Sequence, residues 1–125
     1  MANAGKPAVV SRLLADLQAD DAPTRWRAAL TLARLHTAEA AQALGHALYD
    51  PEPFVRWSAA QALSELANRA PDRTVPLLVS RIVLEAASSP DAGVRAAAAD
   101  AVAAWGSRGP LEPLLTLAQD HDPRV

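Results

Sequence analysis

Apolar residues recur three and four positions apart along almost the whole chain, in seven segments separated by short polar stretches. That spacing keeps one side of a 3.6-residue helix apolar, and no alternating β-branched run competes with it. The segments span roughly 7–18, 23–35, 38–49, 53–67, 74–87, 91–105 and 110–119. Proline punctuates them. Pro7, Pro23, Pro51, Pro53, Pro76, Pro90, Pro110, Pro113 and Pro123 fall at or near segment starts, while Pro71 sits in a connector. A first helical turn tolerates proline and a later turn does not, so these positions predict helix beginnings. The start that lacks proline has Thr37 as its predicted N-cap, with Glu39 in the first turn.

The segments repeat. Thr24-Arg-Trp-Arg-Ala-Ala-Leu-Thr-Leu32, Val55-Arg-Trp-Ser-Ala-Ala-Gln-Ala-Leu63 and Val94-Arg-Ala-Ala-Ala-Ala-Asp-Ala-Val102 align on a paired alanine. Each follows an acidic or proline-bearing turn, and Asp120-His-Asp-Pro-Arg-Val125 opens a fourth copy. The first positions fall at 24, 55, 94 and 125, a period that predicts stacked helical units. The units span about 20–49, 50–88 and 89–119 within a single domain covering 1–125. A capping helix at 7–18 precedes them, and a further repeat starts at 120–125.

Asp50-Pro-Glu-Pro-Phe-Val-Arg-Trp-Ser-Ala-Ala-Gln-Ala-Leu63 resembles the HEAT repeat, in particular the short form common in bacteria called the PBS-lyase or phycobilin-lyase HEAT-like repeat. Thr24 departs from the pattern where valine is usual, and Val102 where leucine is usual. The resemblance implies an all-α fold, a right-handed α-α superhelix of the armadillo/HEAT-like solenoid type with about seven helices.

The helical wheel places Val55, Ala59, Ala62, Leu63 and Leu66 on one stripe, and Trp105 aligns with Leu66. The partner segments present Leu13, Leu14 and Leu17; Leu44 and Leu48; Leu78, Ile82 and Val83; and Leu114, Leu115 and Ala118. Composition changes the picture at one point. Alanine fills 30 of 125 positions, and the pairs Ala28-Ala29 and Ala59-Ala60 and the run Ala96 to Ala99 fall where neighbouring units should touch. Small side chains there let helix axes approach at the short end of about 8–10 Å.

Arg25, Arg56 and Arg95 occupy one repeat position, and Asp21, Asp50 and Asp91 accompany them in the turns. The pattern predicts a ladder of arginine–carboxylate ties, within a unit or to the adjacent one, together with helix caps, as the resemblance also implies. The chain has no cysteine, which excludes disulfides and thiolate metal sites. A net charge of −2 opposes nucleic-acid binding, no apolar run is long enough to cross a membrane, and no secretory signal opens the chain, so a cytoplasmic location is expected. His36, His46 and His121 fall in different units, so no metal or cofactor is expected, and no nucleophile motif surrounds any serine.

Two surfaces are candidates for contact. Trp26 and Trp57 follow the repeat arginines and lie roughly opposite the Val55–Leu66 stripe; with Leu30 and Arg27 they form an aromatic, aliphatic and cationic patch suited to a protein interface. Phe54 and Tyr49 flank the second turn, where they can staple it or join a ridge of turn residues that touches a partner. The second helix of each unit carries Arg12, Gln42, His46, Arg81 and Glu85, whose mixed signs favour a protein ligand over nucleic acid. The function expected is a non-catalytic protein-binding scaffold. The resemblance implies one alternative, a bilin lyase or lyase-like chaperone subunit acting on a pigment protein, and a nucleic-acid-binding module is another. The unfinished repeat at Val125 leaves an open end: either the chain is a fragment of a longer array, or, as expected, a second copy covers that end in a homodimer.

Overall fold

The computed structural model describes residues 5–106, 111–122 and 125. Among them the chain forms seven helices and no strand: α1 (Gly5–Asp16), α2 (Ala22–Leu32), α3 (Ala38–Ala47), α4 (Pro53–Arg69), α5 (Thr74–Ala87), α6 (Ala92–Trp105) and α7 (Leu111–Ala118). Gly109, Pro110 and Pro123, and the side chains of Pro7 and Leu114, lie outside the described residues.

The starts are built as their side chains dictate. Asp21 Oδ2 accepts from the Thr24 N–H at 3.0 Å, Thr37 Oγ1 from the Ala40 N–H at 3.1 Å, and Asp91 Oδ1 from the Gly93 N–H at 2.7 Å. Each satisfies an N–H that the first helical turn cannot bond internally. The expected end of α2 at residue 35 is corrected to Leu32. The chain leaves the helix through a turn in which His36 takes φ 51°, in the left-handed region.

The helices stack in two layers. In one, α2 packs on α4 and α4 on α6; in the other, α3 packs on α5 and α5 on α7, while α1 lies against α2. The all-α solenoid expected from the repeat is therefore the observed architecture. The seams are alanine: Ala28, Ala29, Ala59, Ala60, Ala97 and Ala98 are buried. Helix α4 is central and touches α2, α3, α5 and α6, so burial extends beyond its expected stripe to Ser58, Ala60, Ser64 and Ala67. The serines are tolerated because their hydroxyls have partners: Ser58 Oγ donates to the Phe54 carbonyl at 2.9 Å, and Ser64 Oγ reaches the Ala101 carbonyl of α6 at 2.7 Å.

In the second layer, Gly45 of α3 faces Ile82 of α5. A Cβ at position 45 would lie 3.0 Å from Ile82 Cγ2. Trp105 is buried, as its alignment with Leu66 implies. On α7 the expected stripe is corrected: Leu115 is 52% exposed and Ala118 is exposed, whereas Pro113 and Leu117, four apart, are buried. The helix is rotated so that a different pair meets α5 and α6.

The arginine ladder has a specific register. Nη1 of each arginine donates to two carbonyls of its own turn: Arg25 to Ala19 and Asp20, Arg56 to Asp50 and Pro51, Arg95 to Ser89 and Pro90. Nε then reaches the carboxylate of the next turn, Arg25 to Asp50 at 2.8 Å and Arg95 to Asp120 at 2.6 Å. Of the expected ties and caps, Asp21 and Asp91 take the capping role and form no rung. Each directly precedes its helix, α2 or α6, so its carboxylate meets first-turn N–H groups, whereas Asp50 stands three residues before α4. The Thr24 hydroxyl and N–H hold the Asp21 carboxyl below the usual carboxylate range. The Asp122 backbone N–H, then the Arg95 guanidinium, do the same for Asp120.

Two stability experiments follow from this packing. Arg25 and Asp50 are both largely buried, with 12% and 8% of their side chains exposed, so Asp50→Ala strands a guanidinium at the seam. The expected loss is about 3 kcal/mol in urea-denaturation free energy. Gly45→Val forces Ile82 aside and is expected to cost about 1–3 kcal/mol. Adding Ile82→Ala should cost less than the sum of the two single changes, which a double-mutant cycle measures.

Candidate functional site

The outward side of the α2–α4–α6 layer carries a continuous aromatic cluster. Trp26 stands in the second turn of α2, Phe54 in the first turn of α4, and Trp57 one turn further along α4. The Trp26 and Phe54 rings meet edge to face with centroids 5.3 Å apart; Phe54 and Trp57 are tilted at 5.7 Å. Both separations lie in the attractive range for ring pairs, so the cluster holds its own shape.

Of the two roles open to Phe54, the structure favours the ridge: it stands between the two indoles, 56% exposed, because position 54 precedes Arg56 by two and so faces outward beside Trp57. Tyr49, its expected companion, is also exposed but belongs to the turn before α4. The indoles differ in burial. Trp57 is 44% exposed, whereas Trp26 is half-buried, and its Nε1–H is buried without an acceptor among the described residues. Leu30, 42% exposed, lies one turn along α2 from Trp26, and the exposed Arg27 stands next to that indole in sequence.

The remaining candidates lie on the other layer. Arg12 of α1, Gln42 and His46 of α3, and Arg81 and Glu85 of α5 are all exposed. Arg81 and Glu85 are four residues apart, yet they form no ion pair. The structure therefore separates the candidates into two surfaces: an apolar one with ring-on-ring contacts, and a polar one of solvated side chains. The first offers exposed apolar area that its ring-on-ring contacts hold in a fixed shape, a property that distinguishes interaction patches from scattered surface residues.

Chemistry beyond contact has little to work with among the described residues. No three His, Asp or Glu side chains converge to hold a metal ion, and no helix is long and apolar enough to cross a membrane.

The burial difference between the indoles has a measurable consequence. Trp57→Ala should lower unfolding free energy by less than about 1 kcal/mol, while Trp26→Ala, which removes a ring lodged against Phe54, should cost about 2 kcal/mol or more. Chemical denaturation followed by far-ultraviolet circular dichroism separates the two.

A protein-family model described as HEAT repeats matches residues 7–83, more than half of the chain. No curated protein matches the sequence. The matched span runs from α1 well into α5 and contains the aromatic cluster and the Arg25–Asp50 rung. With its two-layer helical array, its alanine seams and this match, the chain belongs to the HEAT repeat family.

Proposed function

We propose that the protein is a non-catalytic scaffold that binds another protein through the Trp26–Phe54–Trp57 surface. HEAT repeats are generally protein-interaction scaffolds. The observation that carries the reading here is the exposed ring cluster. Phe54 and Trp57 together present a large apolar area to solvent, although neither is needed to fill the core. Aromatic side chains fixed by one another lose little conformational freedom on binding, and Arg27 beside them supplies a charged, donor-rich edge. Interface anchors of this kind commonly contribute 2 kcal/mol or more, about a 30-fold change in affinity.

A second copy of the same chain is the competing occupant, favoured by two exposed leucines on the opposite layer, Leu77 of α5 at 67% and Leu115 of α7 at 52%. It is distinguished by light scattering: a concentration-dependent rise in mass abolished by Leu77→Ser with Leu115→Ser supports self-association through that layer.

For the main reading, a photo-crosslinking amino acid placed at position 57, and separately at position 85 on the polar layer, is the direct test. A discrete adduct with another protein is expected from position 57 and not from position 85, and Phe54→Ala should reduce its yield by about 10-fold or more. Equal adducts from both layers, or none from position 57, would sink the assignment.

A further inference from the structure

Position by position, α6 departs from α2 and α4 in three ways that fall together. The site two before the repeat arginine is Phe54 in α4 and Gly93 in α6; the site one after it is Trp26, Trp57 and Ala96. The aromatic ridge therefore stops at α4, and beyond it the surface drops into a notch of about 280 Å³ between α4 and α6. Pro53, Arg56, Gly93, Ala96, Ala97 and Asp100 line it.

The third departure is electrostatic. The rung is Asp50 for Arg25 and Asp120 for Arg95, each 25 residues on and followed two residues later by the N–H it accepts from; the equivalent turn position for Arg56, six before Arg95, is Ser89. All three side chains do the same local work, accepting from the N–H two residues on: Asp50 Oδ1 from Glu52 at 2.9 Å, Ser89 Oγ from Asp91 at 3.2 Å, Asp120 Oδ1 from Asp122 at 2.9 Å. Serine keeps that turn but has no second oxygen to reach across the seam. Arg56 consequently bonds only through Nη1, to the Asp50 and Pro51 carbonyls, and its Nε and Nη2 have no acceptor among the described residues. Asp91, the nearest acid along the chain, turns its Oδ1 to the Gly93 and Val94 N–H groups and makes no ion pair with Arg56.

The guanidinium packs on Gly93. A Cβ there would stand 2.9 Å from Arg56 Nη2 and 3.1 Å from Asp91 Oδ1, so a side chain at 93 would push the flexible end of Arg56 from its place. Asp100 closes the far end, seven residues and about 10 Å further along α6. It has no hydrogen-bond or ion-pair partner among the described residues, and partial burial pushes its carboxyl above the usual range.

We propose that the α4–α6 notch binds an acidic side chain of a protein partner, whose carboxylate docks on Nε and Nη2 of Arg56 and completes the rung that Ser89 leaves open. The geometry is the one the molecule already uses internally: Arg25 takes Asp50 with Nε at 2.8 Å and Nη2 at 3.3 Å. A guanidinium fork matches a planar carboxylate in this way, and it does so more strongly when partly shielded from water. The neighbouring ridge gives the same partner an apolar footing beside its acid, and Asp100 suits a basic group about two turns away. The source of the carboxylate rests on the protein-binding reading; the carboxylate subsite does not.

The test uses the full chain with 15N-labelled arginine and, among its eleven Nε–Hε signals, follows those of Arg25, Arg56 and Arg95 by nuclear magnetic resonance, each assigned by an Arg→Lys variant. N-acetylglutamate α-methylamide is the probe, its glutamine counterpart the control, and inorganic phosphate a third arm. The Arg56 signal should shift saturably with the glutamate probe and stay fixed with the glutamine one, while Arg25 and Arg95 do not move. Ser89→Asp should supply the carboxylate from within, shift the Arg56 signal without any probe, raise the melting temperature by a few degrees, and abolish the titration. Gly93→Ala, crowding Nη2, should weaken the titration several-fold while leaving the Arg25 and Arg95 signals in place. An unmoved Arg56 signal, an equal response to the glutamine probe, or a Ser89→Asp variant that titrates like the parent each overturns the proposal. A response to phosphate alone overturns the carboxylate assignment. Because the probe needs no partner protein, failure here leaves the aromatic surface standing, and failure of crosslinking at position 57 leaves the subsite standing.

Discussion

Two turn carboxylates, Asp50 and Asp120, each tie the arginine of the preceding unit to the next turn. Asp50 uses one oxygen to shape its own turn, accepting from the Glu52 N–H, and the other to take the Arg25 guanidinium from the preceding turn. Arg25 in turn spends Nη1 on the carbonyls that end its own connector. The tie therefore sets the spacing and rotation of α2 against α4 while satisfying polar groups that a helix start leaves exposed. Both partners are nearly buried, so the bond is screened little by water and its loss would strand a charge at the seam.

Everything between these ties follows from small side chains. Alanine at the contact positions brings α2, α4 and α6 close, and Gly45 does the same for α3 against α5. Close approach makes backbone carbonyls available across the seam, which is why Ser64 of α4 can reach the Ala101 carbonyl of α6. No element has a core of its own. Leucine, valine and alanine from adjacent helices share one elongated apolar layer, so each unit is stable only against its neighbours.

The repeat is regular inside and irregular outside. Buried alanines recur from α2 to α4 to α6, whereas the outward positions run from two aromatic helices to one that is bare, and from paired arginines to one without a carboxylate. Inward positions are constrained by packing in every copy. Outward ones are free to differ, so whatever distinguishes this member of the HEAT repeat family from another is concentrated there. The ridge and the notch adjoin on one layer, which makes a single extended partner able to use both.

By itself the sequence determined the seven helices, the proline-marked starts, the alanine seams and the burial of Trp105, because these depend on periodicity and on local backbone chemistry. Trp57 and Leu30 could be assigned to the surface from the wheel alone. Only the tertiary structure decided which acids pair. Asp21 and Asp91 share the turns with the arginines in sequence, yet their carboxylates are captured by first-turn N–H groups, and the rungs come from the following unit. It likewise put Phe54, open between a turn staple and a ridge residue, in the middle of the ring cluster, rotated α7 onto Pro113 and Leu117, and left Arg56 without a rung. The reason is common to all four. Periodicity specifies the face a side chain occupies, whereas its partner depends on the separation and rotation of two helices, which are set by packing between units distant in sequence.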